Sequence, residues 1–143
     1  MMVELLVAGS LLLSAAANAQ SDGDDLAIYT SVLRFFRPAG SQIRWIDPRL
    51  GRADVDSSQT LSSALTDSLV RKAGRHFELL PPGIERDRRS GGVVRLSRIV
   101  RLSPDSVRVV AQYQHHTPYY THPEIDLPFL VVKRKGKWVL IRP

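Results

Sequence analysis

Residues 113–126, YQHHTPYYTHPEID, hold the densest set of side chains able to do chemistry in this chain. His115, His116 and His122 stand there with Tyr119, Tyr120, Glu124 and Asp126. Neutral imidazole binds zinc or copper, and carboxylates serve as further ligands. A hairpin loop would let His115 or His116 face His122, so these three imidazoles are the candidate metal ligands. Their spacing follows no established metal motif. Pro118 and Pro123 also suit a stiff, exposed loop whose tyrosine rings cover a sheet edge. Tyr and His offer large contact area with polar tips. Tyr119, Tyr120, His115 and His122 are therefore the candidate binding residues. Recognition asks less of geometry than metal coordination does.

Catalysis finds weaker support. Ser, His and Asp are present, but there is no G-x-S-x-G nucleophile elbow. No Walker loop or dinucleotide fingerprint occurs, so the sequence implies no cofactor. Asp47, Asp54 and Asp56 are close in sequence and read as turn formers. The chain lacks cysteine, which excludes a disulfide framework, a thiolate metal site and a cysteine nucleophile.

The net charge is +6, with 16 Arg against 4 Lys among 143 residues. Two basic clusters stand out, Arg86-Asp87-Arg88-Arg89 and Lys133-Arg134-Lys135-Gly136-Lys137. Most of the charge is scattered, as on a solvated surface. Nucleic-acid binding is not expected: it would need stacking aromatics on the same face, and export would remove the ligand. Weak contact with an anionic envelope surface is the more credible charge-driven interaction.

Leu5 to Ala17 is an uncharged apolar run followed by Ala17-Asn18-Ala19, a small-x-small cleavage site. This is the pattern of a secretory signal peptide, although Met1 to Glu4 lack the usual cation. The run is shorter than the roughly 20 apolar residues of a spanning helix. The expectation is a signal peptide over residues 1–19 and a single small domain over 20–143, periplasmic or secreted.

The remaining pattern must position the His/Tyr segment. Leu26, Tyr29, Leu33 and Phe36 recur at helical spacing, widened by Ile28, Val32 and Phe35, which predicts a helix from about Asp24 to Arg37. Leu61, Leu65, Leu69 and Ala73 predict a second, starting near Ser58 or Thr60 and stopping at Gly74. Gln42 to Ile46 and His76 to Leu80 read as short extended pieces. From Val93 the period changes to two. Val94, Leu96, Val100 and Leu102 alternate with polar residues, with room for a bulge at Arg98-Ile99. Val107 to Tyr113, Ile125 to Lys133 and Lys137 to Ile141 follow as strands. Pro128 suggests an edge or bulge in Ile125 to Lys133.

Short connections imply an antiparallel meander of about four strands. The expected fold is α+β, with two N-terminal amphipathic helices packed on a C-terminal antiparallel sheet. The ending Lys-Gly-Lys-Trp-Val-Leu-Ile resembles the final hairpin of small exported domains with cystatin-like or nuclear-transport-factor-like sheets. A shared hairpin implies no activity and no site. The leading functional expectation is an exported, non-enzymatic accessory or binding domain. Its partner would be an envelope protein or a small ligand. The alternatives are a small enzyme with a pocket between helices and sheet, and a periplasmic metal binder using the His115–His122 loop.

Overall fold

The computed structural model describes residues 23–40, 42–49, 61–81, 91–117, 119–120 and 122–141. The leader, Asp54, Asp56 and the Arg86–Arg89 cluster lie outside the described residues, as does the side chain of His116. Helix α1 covers 23–35. Strand β1 (Arg44–Asp47), helix α2 (Ser63–Ala73) and strand β2 (Phe77–Leu79) follow. Then come β3 (Gly91–Leu96), β4 (Val100–Ser103), β5 (Ser106–His116), β6 (Ile125–Arg134) and β7 (Lys137–Ile141).

One sheet holds all seven strands, in the order β2-β1-β3-β5-β6-β7, with β4 beside β5. It curls strongly into a half-barrel. Strand β1 runs parallel to both β2 and β3, whereas the pairs from β3 and β4 through β7 are antiparallel. The expectation of two helices preceding a purely antiparallel meander is thereby corrected. The sheet is mixed, and β1 separates the two helices. The reason is physical. Three- and four-residue strands are too short to show a period, and parallel neighbours have no hairpin turn to announce them.

The core lies between α1 and one face of the curl. Ile28, Tyr29, Val32, Leu33 and Phe36 form the buried helix stripe. They meet Ile46, Phe77, Val94, Leu96, Val107, Val109, Ala111, Phe129 and Val131 from the sheet. Leu69 joins them from α2, which starts at the N-cap Ser62, where Oγ accepts from the Leu65 amide. That is a few residues later than Ser58 or Thr60. Gly74 ends the helix with φ 102°, a conformation that glycine adopts at little cost. The β6–β7 turn uses Lys135 and Gly136, both at positive φ, as a two-residue hairpin requires.

Between β3 and β4 the ladder breaks. The Ser97 amide donates to the Val110 carbonyl at 2.8 Å. Its Oγ accepts from the Val110 amide, also at 2.8 Å, replacing a backbone carbonyl. The break reverses the pleat. Leu96 is in the core, and Arg101, five residues on, pairs with buried Val107 and reaches Asp25 of α1. An unbroken strand would put positions 96 and 101 on opposite faces. Val100 and Leu102 therefore do not continue the inward row of Val94 and Leu96, and Leu102 is 55% exposed. The same bonds explain Pro128. Its register partner is Val110, whose amide and carbonyl are both spent on Ser97. No β5 group waits for an N–H that proline lacks.

Candidate functional site

Alternation along β5 sends Val107, Val109, Ala111, Tyr113 and His115 to the core face. The first three are buried under α1. The helix ends at residue 35, and the Phe36 ring reaches Tyr113 with 5.3 Å between centroids. Beyond that contact the row continues past the helix. An open cavity of about 350 Å³ lies there, lined by Tyr113, His115, His122, Pro123 and Ile125.

Each wall has a local cause. Gly92 lies opposite His115 in the β3–β5 register. The Tyr113 ring occupies the space where a Cβ at Gly92 would stand. On its other flank sits Arg44 of β1, with the guanidinium carbon 5.2 Å from the ring centroid. Arg44 Nε donates to the Phe36 carbonyl at 3.0 Å, closing the end of α1. Its NH1 is buried and has no hydrogen-bond partner among the described residues. The π face of Tyr113 is its natural neighbour. Burial pushes the Tyr113 phenol up from its usual range, and the Arg44 charge opposes that shift. Tyr113 therefore keeps its proton at neutral pH. The hydroxyl lies 3.1 Å from His115 Nδ1.

His122 arrives from the loop between β5 and β6. Its amide donates to the His115 carbonyl at 3.0 Å, and Gln114 Nε2 donates to the His122 carbonyl at 3.2 Å. Thr117 holds the loop tip. Its amide and Oγ both donate to the Tyr120 carbonyl, and the Tyr120 amide donates back to Oγ. The rings of His115 and His122 come to 5.6 Å, and Tyr120 meets His122 edge-on at 4.9 Å. A continuous aromatic series thus runs Phe129, Phe36, Tyr113, His115, His122, Tyr120, from the core to the surface.

Of the residues singled out in the sequence, His115, His122 and Tyr120 are brought together. Tyr119 stands apart at 97% exposure. Among the described residues, no three His, Cys, Asp or Glu side chains are grouped to hold a metal ion. Sequence reasoning missed Tyr113, Ile125, Arg44 and Gly92 as site residues. The period-two row of β5 carries the signal for Tyr113, since 113 and 115 share a face. Nothing local marks Arg44 or Gly92, which reach the site only through β1 and β3.

Two other features are structural. Asp47 is 1% exposed, and its Oδ1 accepts from the Arg49 amide at 3.0 Å, the side-chain bond of a turn former. It accepts from Arg49 Nε and NH2 and from Arg95 NH2, the last two at 2.9 Å, and so ties β1 to its register partner in β3. A smaller cavity between the helices, about 270 Å³, is lined by Gly23, Leu26, Ser62, Ala64, Leu65 and Ser68, which include no ionisable side chain. Compared with known protein families, curated proteins and solved structures, the chain gives no match.

Proposed function

We propose that this chain is a non-enzymatic recognition module whose binding site is the groove at the end of the curled sheet that α1 does not cover. The observation that carries the reading is the passage of the β5 core-face row beyond α1 into an open cavity walled by Tyr113, His115, His122, Pro123 and Ile125. Ligand sites are commonly concave and mostly apolar, with a few placed polar groups. This groove offers two imidazoles and a phenol over an aromatic and aliphatic floor. Tyr119 and Tyr120, at 97% and 59% exposure, add contact surface beside it. The described lining holds two imidazoles and a phenol but no carboxylate, serine or cysteine.

In this reading the module works outside the cytoplasm, after loss of residues 1–19, on an envelope partner or small ligand. Among the described residues no helix is long and apolar enough to cross a membrane. Protein-observed NMR with a fragment library tests the site. Aromatic and aliphatic fragments are expected to shift resonances of Tyr113, His115, His122 and Ile125. Hits confined to the cleft between α1 and α2, or none at all, would overturn the assignment. Mass spectrometry of the chain from a bacterial envelope fraction tests export: a mass beginning at Gln20 is expected, and an uncleaved cytoplasmic chain would refute it.

A further inference from the structure

The described polar groups lining the groove are two imidazoles and a phenol, all able to donate a hydrogen bond. The described lining includes no acidic side chain. Behind the Tyr113 ring stands the Arg44 guanidinium, 5.2 Å from the centroid, with NH1 buried and unpartnered among the described residues. A partly buried cation next to a low-dielectric wall projects its field more strongly than a fully solvated one. Two carboxylates lie close in sequence: Glu124, between Pro123 and Ile125, is exposed and already engaged in an interaction of its own, and Asp126 pairs with Gln112 in the row opposite to that of Tyr113 and Ile125.

The hydrogen bond between Tyr113 and His115 adds a direction. In the His115 tautomer that carries its proton on Nε2, the phenol donates to Nδ1 and Nε2 is left as a donor. His122 lies one ring away at 5.6 Å, so two imidazoles can be presented to one acceptor group. The rest of the surface is apolar: the Tyr113 ring, Pro123 and Ile125, the last 49% exposed. A volume of about 350 Å³ suits a ligand with an apolar body of one ring or a short chain and a single polar head.

We infer that the groove takes an amphipathic monocarboxylate, an aromatic or short aliphatic acid. Its apolar body lies on Tyr113 and Ile125, and its carboxylate meets His115 and His122 within the field of Arg44. This inference rests on the groove being a recognition site and adds the chemical class of its ligand. Charge-assisted hydrogen bonds are about twice as strong as neutral ones, so the acid should outbind its uncharged isostere.

The test compares phenylacetate with phenylacetamide, and hexanoate with hexanamide, by NMR titration of the full chain up to about 10 mM, the range suited to ligands this small. The acids are expected to bind at least about tenfold more tightly than the amides, with shifts at residues 113–115 and 122–125. Replacing His115 and His122 with Phe, which keeps a ring at each position, is expected to erase that preference while the amides still bind. Equal affinity of acid and amide for the unaltered chain overturns the inference and leaves the groove as a recognition site. Absence of binding by all four probes also overturns it, and the fragment library then decides whether the groove reading falls as well. A preference for the acids that survives loss of both imidazoles assigns the anion elsewhere and equally overturns the inference.

Discussion

Replacing Ser97 with Ala removes one oxygen from a site that is 1% exposed and changes little else. That oxygen accepts the Val110 amide at 2.8 Å and donates to the Arg98 carbonyl at 2.9 Å. Arg98 is exposed, so its carbonyl can turn to water. The Val110 amide cannot, because it points into the break between β3 and β4, and its register partner on the other side is Pro128. An orphaned buried donor costs about 1–3 kcal/mol. The cavity contribution of one lost hydroxyl is small, so about 2 kcal/mol is expected. Unfolding entropy near 2.1 cal/mol/K per residue gives about 250 cal/mol/K for a domain of roughly 120 residues. The expected fall in Tm is therefore about 8 °C. Calorimetry and urea titration measure it, with Ser103→Ala as control. Ser103 Oγ pairs with Ser106 Oγ at an exposed turn, and its loss should cost under about 0.5 kcal/mol. If Ser97→Ala proves no worse than Ser103→Ala, the hydroxyl is not what holds the break, and the account of Pro128 fails with it.

Tyr29→Phe tests the buried phenol, which donates to the Ser97 carbonyl at 2.9 Å; about 1 kcal/mol is expected to be lost. Burial, helped by the charge of Asp25, raises the Tyr29 pKa in the folded state above its ordinary value. Its stabilising effect is thus complete below about pH 10, the unfolded phenol's pKa, and falls as pH rises above it, by up to about 1.4 kcal/mol per pH unit. Urea unfolding from pH 9 to 11 should show a steeper loss in the native chain than in Tyr29→Phe, and parallel curves would refute the linkage. Gly92→Ala places a methyl group where the Tyr113 ring packs. It should destabilise by about 1–3 kcal/mol and shift the Tyr113 and His115 resonances; unchanged ring shifts would show that Gly92 does not seat the groove floor.

Much of the local structure was legible because its causes are local. The stripe of Ile28, Tyr29, Val32, Leu33 and Phe36 needs only a 3.6-residue period. Gly74 and the Lys135-Gly136 turn follow from backbone conformations that few residues tolerate. The row Val107, Val109, Ala111 marks β5 and its inward face, and the crowding of His115, Tyr120 and His122 marks one end of the hairpin. Other features depend on partners distant in sequence. Val100 and Leu102 look inward by alternation, yet the Ser97 break turns them outward, and only the bond to Val110 reveals it. Asp47 reads as a turn residue and is one, but its tie to Arg95, 48 positions later, appears only once β3 is brought alongside it. The parallel pairing of β1 with β2 and β3 has no turn sequence to announce it, so Arg44 and Gly92 are invisible as site residues. By itself the sequence determined which segments are helix or strand and which side chains could do chemistry. The tertiary structure decided which face each strand shows and where α1 stops short of the sheet. Periodicity is encoded in neighbours along the chain, whereas the groove exists only where strands far apart in sequence converge.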